Sequence, residues 1–422
     1  MICKKDLKQL KWCQNNYYNY MVKVLTDKFL IEKLLTKGAE EVIVREHLEK
    51  KLQAGERLRV KLGIDPTGSV LHLGHAVVLK KLRDFQDLGH QVIFLIGDFT
   101  ARIGDPSGRS KERVPMSDEQ IKKNMKDYVK QAGLILDLSK VEIRYNSEWL
   151  DKLSLEEVIK LTSKATYAQI AQRADFKKRI KEDTDLTLQE FMYPIMVGYD
   201  SVALKADVEL GGADQKFNLL MGRQIQARYD QEPQDIITCP ILEGLHGKDK
   251  MSKSLNNYIA LTEKPDEMYG KIMSIADGLI VHYFSLATDL ADNEIKKIAS
   301  GMKTGKNPRD YKMRLAREVV ALYHGAAQAK TAEENFIKQF QQKETPDEVR
   351  IKKLEVRSKN IIDLLMACDL AASKGEARRL IEQGGIKIDG AVVKSIAEEV
   401  SLTKKGLLLQ RGKRQFVRVT GK

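Results

Sequence analysis

Cysteine is scarce in this chain, and none of its four cysteines (Cys3, Cys13, Cys239, Cys368) stands at paired spacing. That pattern argues against a disulfide framework and a zinc site, and it suits a reducing cytoplasm. Long hydrophobic runs are missing as well. No apolar stretch approaches the roughly 20 residues that a membrane-spanning helix needs, so a soluble protein without a membrane partner is expected. Internal repeats are absent. Residues 1–20 lack both the apolar core and the small-residue cleavage site of a secretory signal. They are read as a dispensable extension ahead of a second start at Met21.

What the chain does have is length and unevenly placed charge. Its 422 residues allow two or three domains with substantial cores. Residues 351–422 carry 16 Lys/Arg against 8 Asp/Glu, and residues 1–20 carry four Lys against one Asp. Of the formal net charge of +13, only +2 is left for the 330 residues between. A basic tail on a near-neutral body points to a polyanionic partner, the alternative being a merely solvated tail.

Between about 57 and 260, short apolar runs alternate with amphipathic stretches. Leu58–Ile64 and Gln91–Gly97 read as buried strands of a parallel sheet. Ser117-x-x-Gln120 and Ser154-x-x-Glu157 read as capping-box helix starts. The alternation predicts a doubly wound α/β sheet with ligand residues at its carboxyl edge. From about 262 to 340 the pattern is helical, and 343–358, charged and holding Pro346, is the expected linker. Beyond it, 359–422 reads as a compact α+β module. The expected domains are therefore 21–260, 261–342 and 359–422.

Two short runs carry the chemistry. His72-Leu73-Gly74-His75 follows the first strand and a turn, and it opens an apolar-periodic run from Ala76 to Leu88. A helix N-terminus is an anion site, two imidazoles three apart share one face of it, and Gly74 leaves room for a purine. Two histidines at this spacing also suit a metal, but no Cys, Asp or Glu stands at ligand distance beside them, and no metal is expected. Lys250-Met251-Ser252-Lys253-Ser254 puts two ammonium groups and two hydroxyls on an expected flexible loop. Alone it is a solvated loop. Paired with the first run, it suits a polyphosphate whose charge rises during reaction.

Three further runs are ambiguous alone. Gly104-Asp105-Pro106 is turn chemistry, or a carboxylate placed to hold an ammonium group. Tyr193 and Asp200, seven apart, share a face if their segment is helical. Gly211-Gly212-Ala213-Asp214-Gln215 is a glycine turn feeding a polar helix start, a cap or a ribose site.

Taken together, the two main runs resemble the signatures of class I aminoacyl-tRNA synthetases, with a Rossmann-like catalytic domain. With Gly63-x-Asp65-Pro66-Thr67, the Asp105 turn, Tyr193 to Asp200 and the Gly211 turn, the chain resembles bacterial-type tyrosyl-tRNA synthetases from about Met21 onward. The resemblance implies ATP-driven activation of L-tyrosine and transfer to tRNA(Tyr) by a cytoplasmic homodimer. It implies MgATP as substrate and no tightly bound cofactor. Carried over by position, Asp200 would meet the tyrosine hydroxyl, Tyr193 and Asp105 the α-ammonium group, and Gln215 the carboxylate. Asp214 and Asp65 would serve the ribose, and Thr67 and His72 the γ-phosphate. His75 and Gly74 would support the nucleotide. Lys250, Lys253 and Ser254 would neutralise departing pyrophosphate, joined by Arg109 and Arg113 on a basic loop. In the tail, Ala372–Ile381 followed by Gly384–Gly390 resembles a small RNA-binding module, in which Lys374, Arg378, Arg379, Lys413 and Arg414 would meet phosphates.

Two positions depart from the family pattern. Lys61 stands where many members have a tyrosine that touches the substrate hydroxyl, and Val197 stands where glutamine is usual near the substrate amino group. Tryptophanyl-tRNA synthetases share the fold and both signatures but usually lack the basic tail. A synthetase-derived RNA-binding protein and a nucleotidyltransferase without tRNA are the remaining alternatives.

Overall fold

The computed structural model describes residues 23–106, 116–340, 350–354, 358–403, 406–412 and 415–421. The expected extension 1–20, Arg109, Arg113, Lys413 and Arg414 lie outside the described residues. The chain divides into two compact units, the first ending at Gly325 and the second beginning at Ala326. Among the described residues no helix is long and apolar enough to cross a membrane.

The first unit is built on a six-stranded sheet: β1 (Glu41–Ile43), β2 (Arg59–Ile64), β3 (Gln91–Ile96), β4 (Val141–Tyr145), β5 (Val208–Gly212) and β6 (Asp235–Cys239). Its order is β1-β6-β5-β2-β3-β4, parallel throughout except for β1 at the edge. From β2 the chain winds outward through β3 and β4, then returns to the other side of β2 with β5. The switch point therefore lies between β2 and β5, where an open α/β sheet leaves a crevice at its carboxyl edge. Val60, Leu62 and Ile93 to Ile96 are all buried, because helices cover both faces of the central strands.

The expected helix starts form with one difference. Ser154 and Glu157 complete a capping box. Ser117 accepts from the Gln120 N–H at 3.3 Å, but the Gln120 side chain turns to Asn124 Oδ1 instead, so that box is half made. The helix Leu188–Leu204 carries Pro194 in its interior, where no N–H is available for the i−4 carbonyl. Helices Pro265–Met273, Ile280–Ala287, Asp292–Lys303 and Pro308–His324 follow the sheet and belong to the same unit.

The second unit holds the helix Ala326–Phe340 and strands β7 (Arg350–Lys353), β8 (Ser358–Asn360), β9 (Ile386–Ile388), β10 (Ala391–Val392), β11 (Glu399–Ser401), β12 (Leu407–Arg411) and β13 (Gln415–Thr420). Five of them make one sheet in the order β10-β9-β12-β13-β7, and β8 pairs with β11. Leu364, Leu365, Ala377, Ile381, Ile386, Leu409 and Val419 form its core. The stretch expected to be linker, 343–358, thus supplies β7, parallel to β13. Its charge hid the strand, because pairing of backbone groups does not require apolar side chains at a sheet edge.

Candidate functional site

A cleft of about 1030 Å³ opens at the carboxyl ends of β2 and β5. The fourteen described residues expected to handle ATP or tyrosine all line it: Asp65, Thr67, His72, Gly74, His75, Asp105, Tyr193, Val197, Asp200, Asp214, Gln215, Lys250, Lys253 and Ser254.

On one wall stands the N-terminus of helix Leu73–Asp87. His72 is its cap residue, and the His72 N–H donates to His75 Nδ1 at 3.1 Å. That bond makes Nδ1 of His75 an acceptor and so places its proton on Nε2. The two rings lie 3.8 Å apart between centroids. Burial, then Lys253 and Lys250, pushes the His72 imidazole down to about 3. Burial and His72 hold His75 well below its ordinary value. Both rings are therefore neutral, and His72 Nδ1 is buried without a partner among the described residues. The space beside Gly74 is taken first by this ring, since a Cβ there would lie 3.1 Å from it.

Opposite stands Lys250–Ser254, more firmly held than a flexible loop. The Met251 N–H donates to Leu242 O at 2.9 Å, and Asn257 bridges the Ser252 N–H and Lys250 O. Lys250 Nζ sits 2.6 Å from Asp214 Oδ2, and Lys253 Nζ donates to the Tyr128 hydroxyl at 2.7 Å. Behind both motifs, the Leu73 N–H donates to Ile259 O at 3.0 Å and the Leu261 N–H to Leu71 O at 2.9 Å. This short backbone pairing fixes one signature against the other.

Between them the helix Leu188–Leu204 turns Tyr193, Val197 and Asp200 toward the cleft, as their four- and seven-residue offsets dictate. The Tyr193 hydroxyl donates to Asp65 Oδ2 at 3.0 Å, and Thr100 Oγ1 donates to Asp65 Oδ1 at 2.7 Å. Burial, then Asp105 and Asp65, raises Tyr193 well above the usual phenol value, so it stays a neutral donor. A side chain on Gly97 would overlap Asp65 Oδ1 and Thr100 Oγ1; glycine at the end of β3 makes that pair of contacts possible. Gln215 Oε1 accepts from the Gly212 N–H at 3.0 Å, which leaves its amide nitrogen as a donor.

Asp200, also in the lining of the cleft, is 2 % exposed. Trp149 Nε1 donates to its Oδ1 at 2.8 Å and Asn146 Nδ2 to its Oδ2 at 3.3 Å. Burial raises its carboxyl to about 7, against the pull of Lys61 and of these two donors. Trp149, Asn146, Thr100 and Tyr128 belong to no motif, and the sequence reading did not single them out. The one usable signal was that Trp149 is the lone tryptophan among the described residues, set just past a strand end.

Residues 52–341 match the family model of class I tRNA synthetases for tryptophan and tyrosine, and residues 339–419 match the C-terminal domain of a tyrosine–tRNA ligase family. The tyrosine–tRNA ligase of Thermotoga maritima is 50% identical over 390 residues, covering 92% of this chain and 97% of that protein. The chain belongs to the tyrosyl-tRNA synthetase family. Within that family, the enzyme named tyrosine–tRNA ligase in Bordetella avium is 48% identical over 391 residues, 92% of this chain and 95% of its own. Among solved structures, a C-terminally truncated mitochondrial tyrosyl-tRNA synthetase of Aspergillus nidulans superposes with a TM-score of 0.61 at 25% identity. It covers 74% of this chain and 94% of its own. The Archaeoglobus fulgidus tyrosyl-tRNA synthetase, solved with L-tyrosine, gives 0.59 at 26% identity over 73% of this chain and the whole of its own. A Plasmodium falciparum tryptophanyl-tRNA synthetase gives 0.56 at 15% identity, a likeness of fold.

In the second unit, helix Lys374–Glu382 begins at its cap Ser373, and Arg378 and Arg379 are exposed. Lys374 Nζ lies 3.2 Å from Asp363 Oδ1.

Proposed function

We propose that the chain is a tyrosine–tRNA ligase whose cleft runs both half-reactions. The α-carboxylate of tyrosine attacks the α-phosphate of ATP in line, giving tyrosyl-adenylate and pyrophosphate. The terminal-adenosine hydroxyl of tRNA(Tyr) then takes the tyrosyl group. No side chain is covalently modified, so the rate comes from positioning and from charge stabilisation that strengthens in the transition state.

The observation that carries this reading is the meeting of the two signature runs, with a buried acid between them, at the switch point of one sheet. Asp200 accepts the phenol hydroxyl. Tyr193 and Asp105 hold the α-ammonium group, and the Gln215 amide nitrogen meets the carboxylate. Asp214 and Asp65 serve the ribose, while Gly74 and His75 support the nucleotide. Thr67 and the neutral His72 donate toward the γ-phosphate, and Lys250, Lys253 and Ser254 stabilise the departing pyrophosphate, with Arg109 and Arg113 beside them. ATP enters as its Mg²⁺ complex, as substrate. Rejection of phenylalanine rests on a buried Asp200 left unpaired, an effect for which this enzyme family is the standard illustration.

In the tail, Lys374, Arg378, Arg379, Lys413 and Arg414 bind tRNA phosphates. The active species is a cytoplasmic homodimer. Its support is the large exposed apolar surface of Leu155 (76 %) and Ile159 (62 %), one turn apart on one helix, and of Leu188 (84 %). Sedimentation at micromolar concentration tests the dimer, and a monomer would refute it. Tyrosine-dependent ATP–pyrophosphate exchange, run against all standard amino acids, tests the activity. Exchange with tryptophan instead, or with no amino acid, would overturn it.

A further inference from the structure

One face of the helix Asp118–Ala132 touches both halves of the phosphate site, although no residue of this helix carries a part in the reaction set out above. Asn124, Tyr128 and Gln131, spaced by four and three residues, share that face, and all three are buried. Asn124 Nδ2 donates to Pro66 O at 2.8 Å. Gln131 Nε2 donates to Ser69 O at 2.8 Å, and Gln131 Oε1 accepts from the Leu71 N–H at 2.7 Å. These three bonds hold the backbone on both sides of Thr67. Tyr128 reaches instead to the second signature: its hydroxyl accepts from Lys253 Nζ at 2.7 Å. The same ammonium lies 5.3 Å from the centre of the Tyr128 ring, within cation–π range. It also stands against the Thr67 turn itself, since a Cβ on Gly68 would be 3.0 Å from Lys253 Nζ.

We infer that Tyr128 is a positioning residue for adenylate formation, which fixes the Lys253 ammonium beside the Thr67 turn before ATP arrives. This rests on the assignment of Lys253 to the departing pyrophosphate. A lysine side chain loose in solvent must give up its rotamers as charge builds on the leaving group. Lys253 has already given them up. The Tyr128 hydroxyl holds its tip, and the helix that carries Tyr128 is itself bonded to the turn where the ammonium has to stand. The ordering cost falls on folding, so the barrier to reaction carries less of it.

A double-mutant cycle separates this role from a merely structural one. Single-turnover adenylate formation from tyrosine and MgATP is measured on the full chain and on Tyr128→Phe, Lys253→Ala and the double variant. Tyr128→Phe keeps the ring and removes only the hydroxyl. It should slow adenylate formation by about tenfold, the scale of one charge-assisted hydrogen bond, and leave the dissociation constants of tyrosine and ATP within about twofold. Lys253→Ala should slow the step by about 10²–10³. In the Lys253→Ala background, Tyr128→Phe should have no further effect, because the ammonium it positions is gone. Gly68→Ala displaces the ammonium from the side of the turn without touching Tyr128, and it takes the place of Tyr128→Phe in the cycle if that variant fails to fold. A native rate in the first variant, or the same slowing with and without Lys253, would overturn the inference. Lys253→Ala with the native rate would instead overturn the assignment beneath it.

Discussion

Replacing Trp149 with phenylalanine should move the pH at which the enzyme begins to use tyrosine well. The ring keeps its place against Ile93, Leu95 and Leu204, but Asp200 loses the 2.8 Å donor on Oδ1 and keeps only Asn146 at 3.3 Å. A hydrogen bond to a charged group is worth about 1.5–3 kcal/mol, and 1.36 kcal/mol corresponds to one pKa unit, so the carboxyl should rise by about one to two units. In the native chain the carboxyl titrates at about 7 under the combined influence of burial, Lys61, the two donors and Glu209. The sign follows from which form binds. The carboxylate accepts the phenol proton, so kcat/KM for tyrosine is full above the free-enzyme pKa and falls as pH drops through it. At pH 7 the variant should therefore lose about five- to fiftyfold in kcat/KM for tyrosine, while above pH 9 it should come within about twofold of the native chain. The assay is ATP–pyrophosphate exchange from pH 6 to 9.5 with saturating ATP. Superimposable pH profiles for the two proteins would refute the reasoning.

Other outcomes follow from the same geometry. Val197→Gln adds a donor–acceptor group beside the ammonium site and should tighten tyrosine binding by about tenfold, as equilibrium dialysis would show; unchanged or weaker binding would count against it. His72→Ala should slow pre-steady-state adenylate formation by about 10²–10³ with little change in ATP dissociation constant, and a purely weaker ATP affinity would contradict the assigned role. Gly97→Ala should cost about 1–3 kcal/mol in urea unfolding, because its methyl displaces the Asp65–Thr100 contact; a stability equal to the native chain would show that this contact yields freely. Arg378→Ala/Arg379→Ala should leave pyrophosphate exchange intact while flattening the salt dependence of tRNA binding by roughly one in log–log slope per lost phosphate contact, and an unaltered slope would exclude both residues from the RNA surface.

The sheet was legible where its strands are buried on both faces, since Val60, Leu62 and Ile93 to Ile96 must be apolar. It was less legible at the margins. β4 is half-buried along its whole length and carries Glu142 and Arg144, and β7 is mostly charged, so neither shows the pattern of a strand. The same split runs through the site. Residues inside short runs were readable because a helix N-terminus or a seven-residue offset fixes their direction. Trp149, Asn146, Thr100 and Tyr128 act through contacts to residues distant in sequence, which no local pattern encodes. Lys61 could be noticed as a departure from the family pattern, but its partner Glu209 came only with the register of β2 and β5.

The pairing of Leu71–Leu73 with Ile259–Leu261 joins the two signatures through amide and carbonyl groups alone. Such a joint does not read side chains. Apart from His72, which carries a role in the reaction, the residues along it are free to drift, provided they fit their buried surroundings, without changing the distance between the halves of the ATP site. Proline is the exception at Leu73 and Leu261, whose N–H groups are the donors. Evolution can thus rewrite the lettering of this seam while the spacing it enforces stays constant, and an engineer grafting loops onto either half should treat the seam's backbone, rather than its sequence, as the part to preserve.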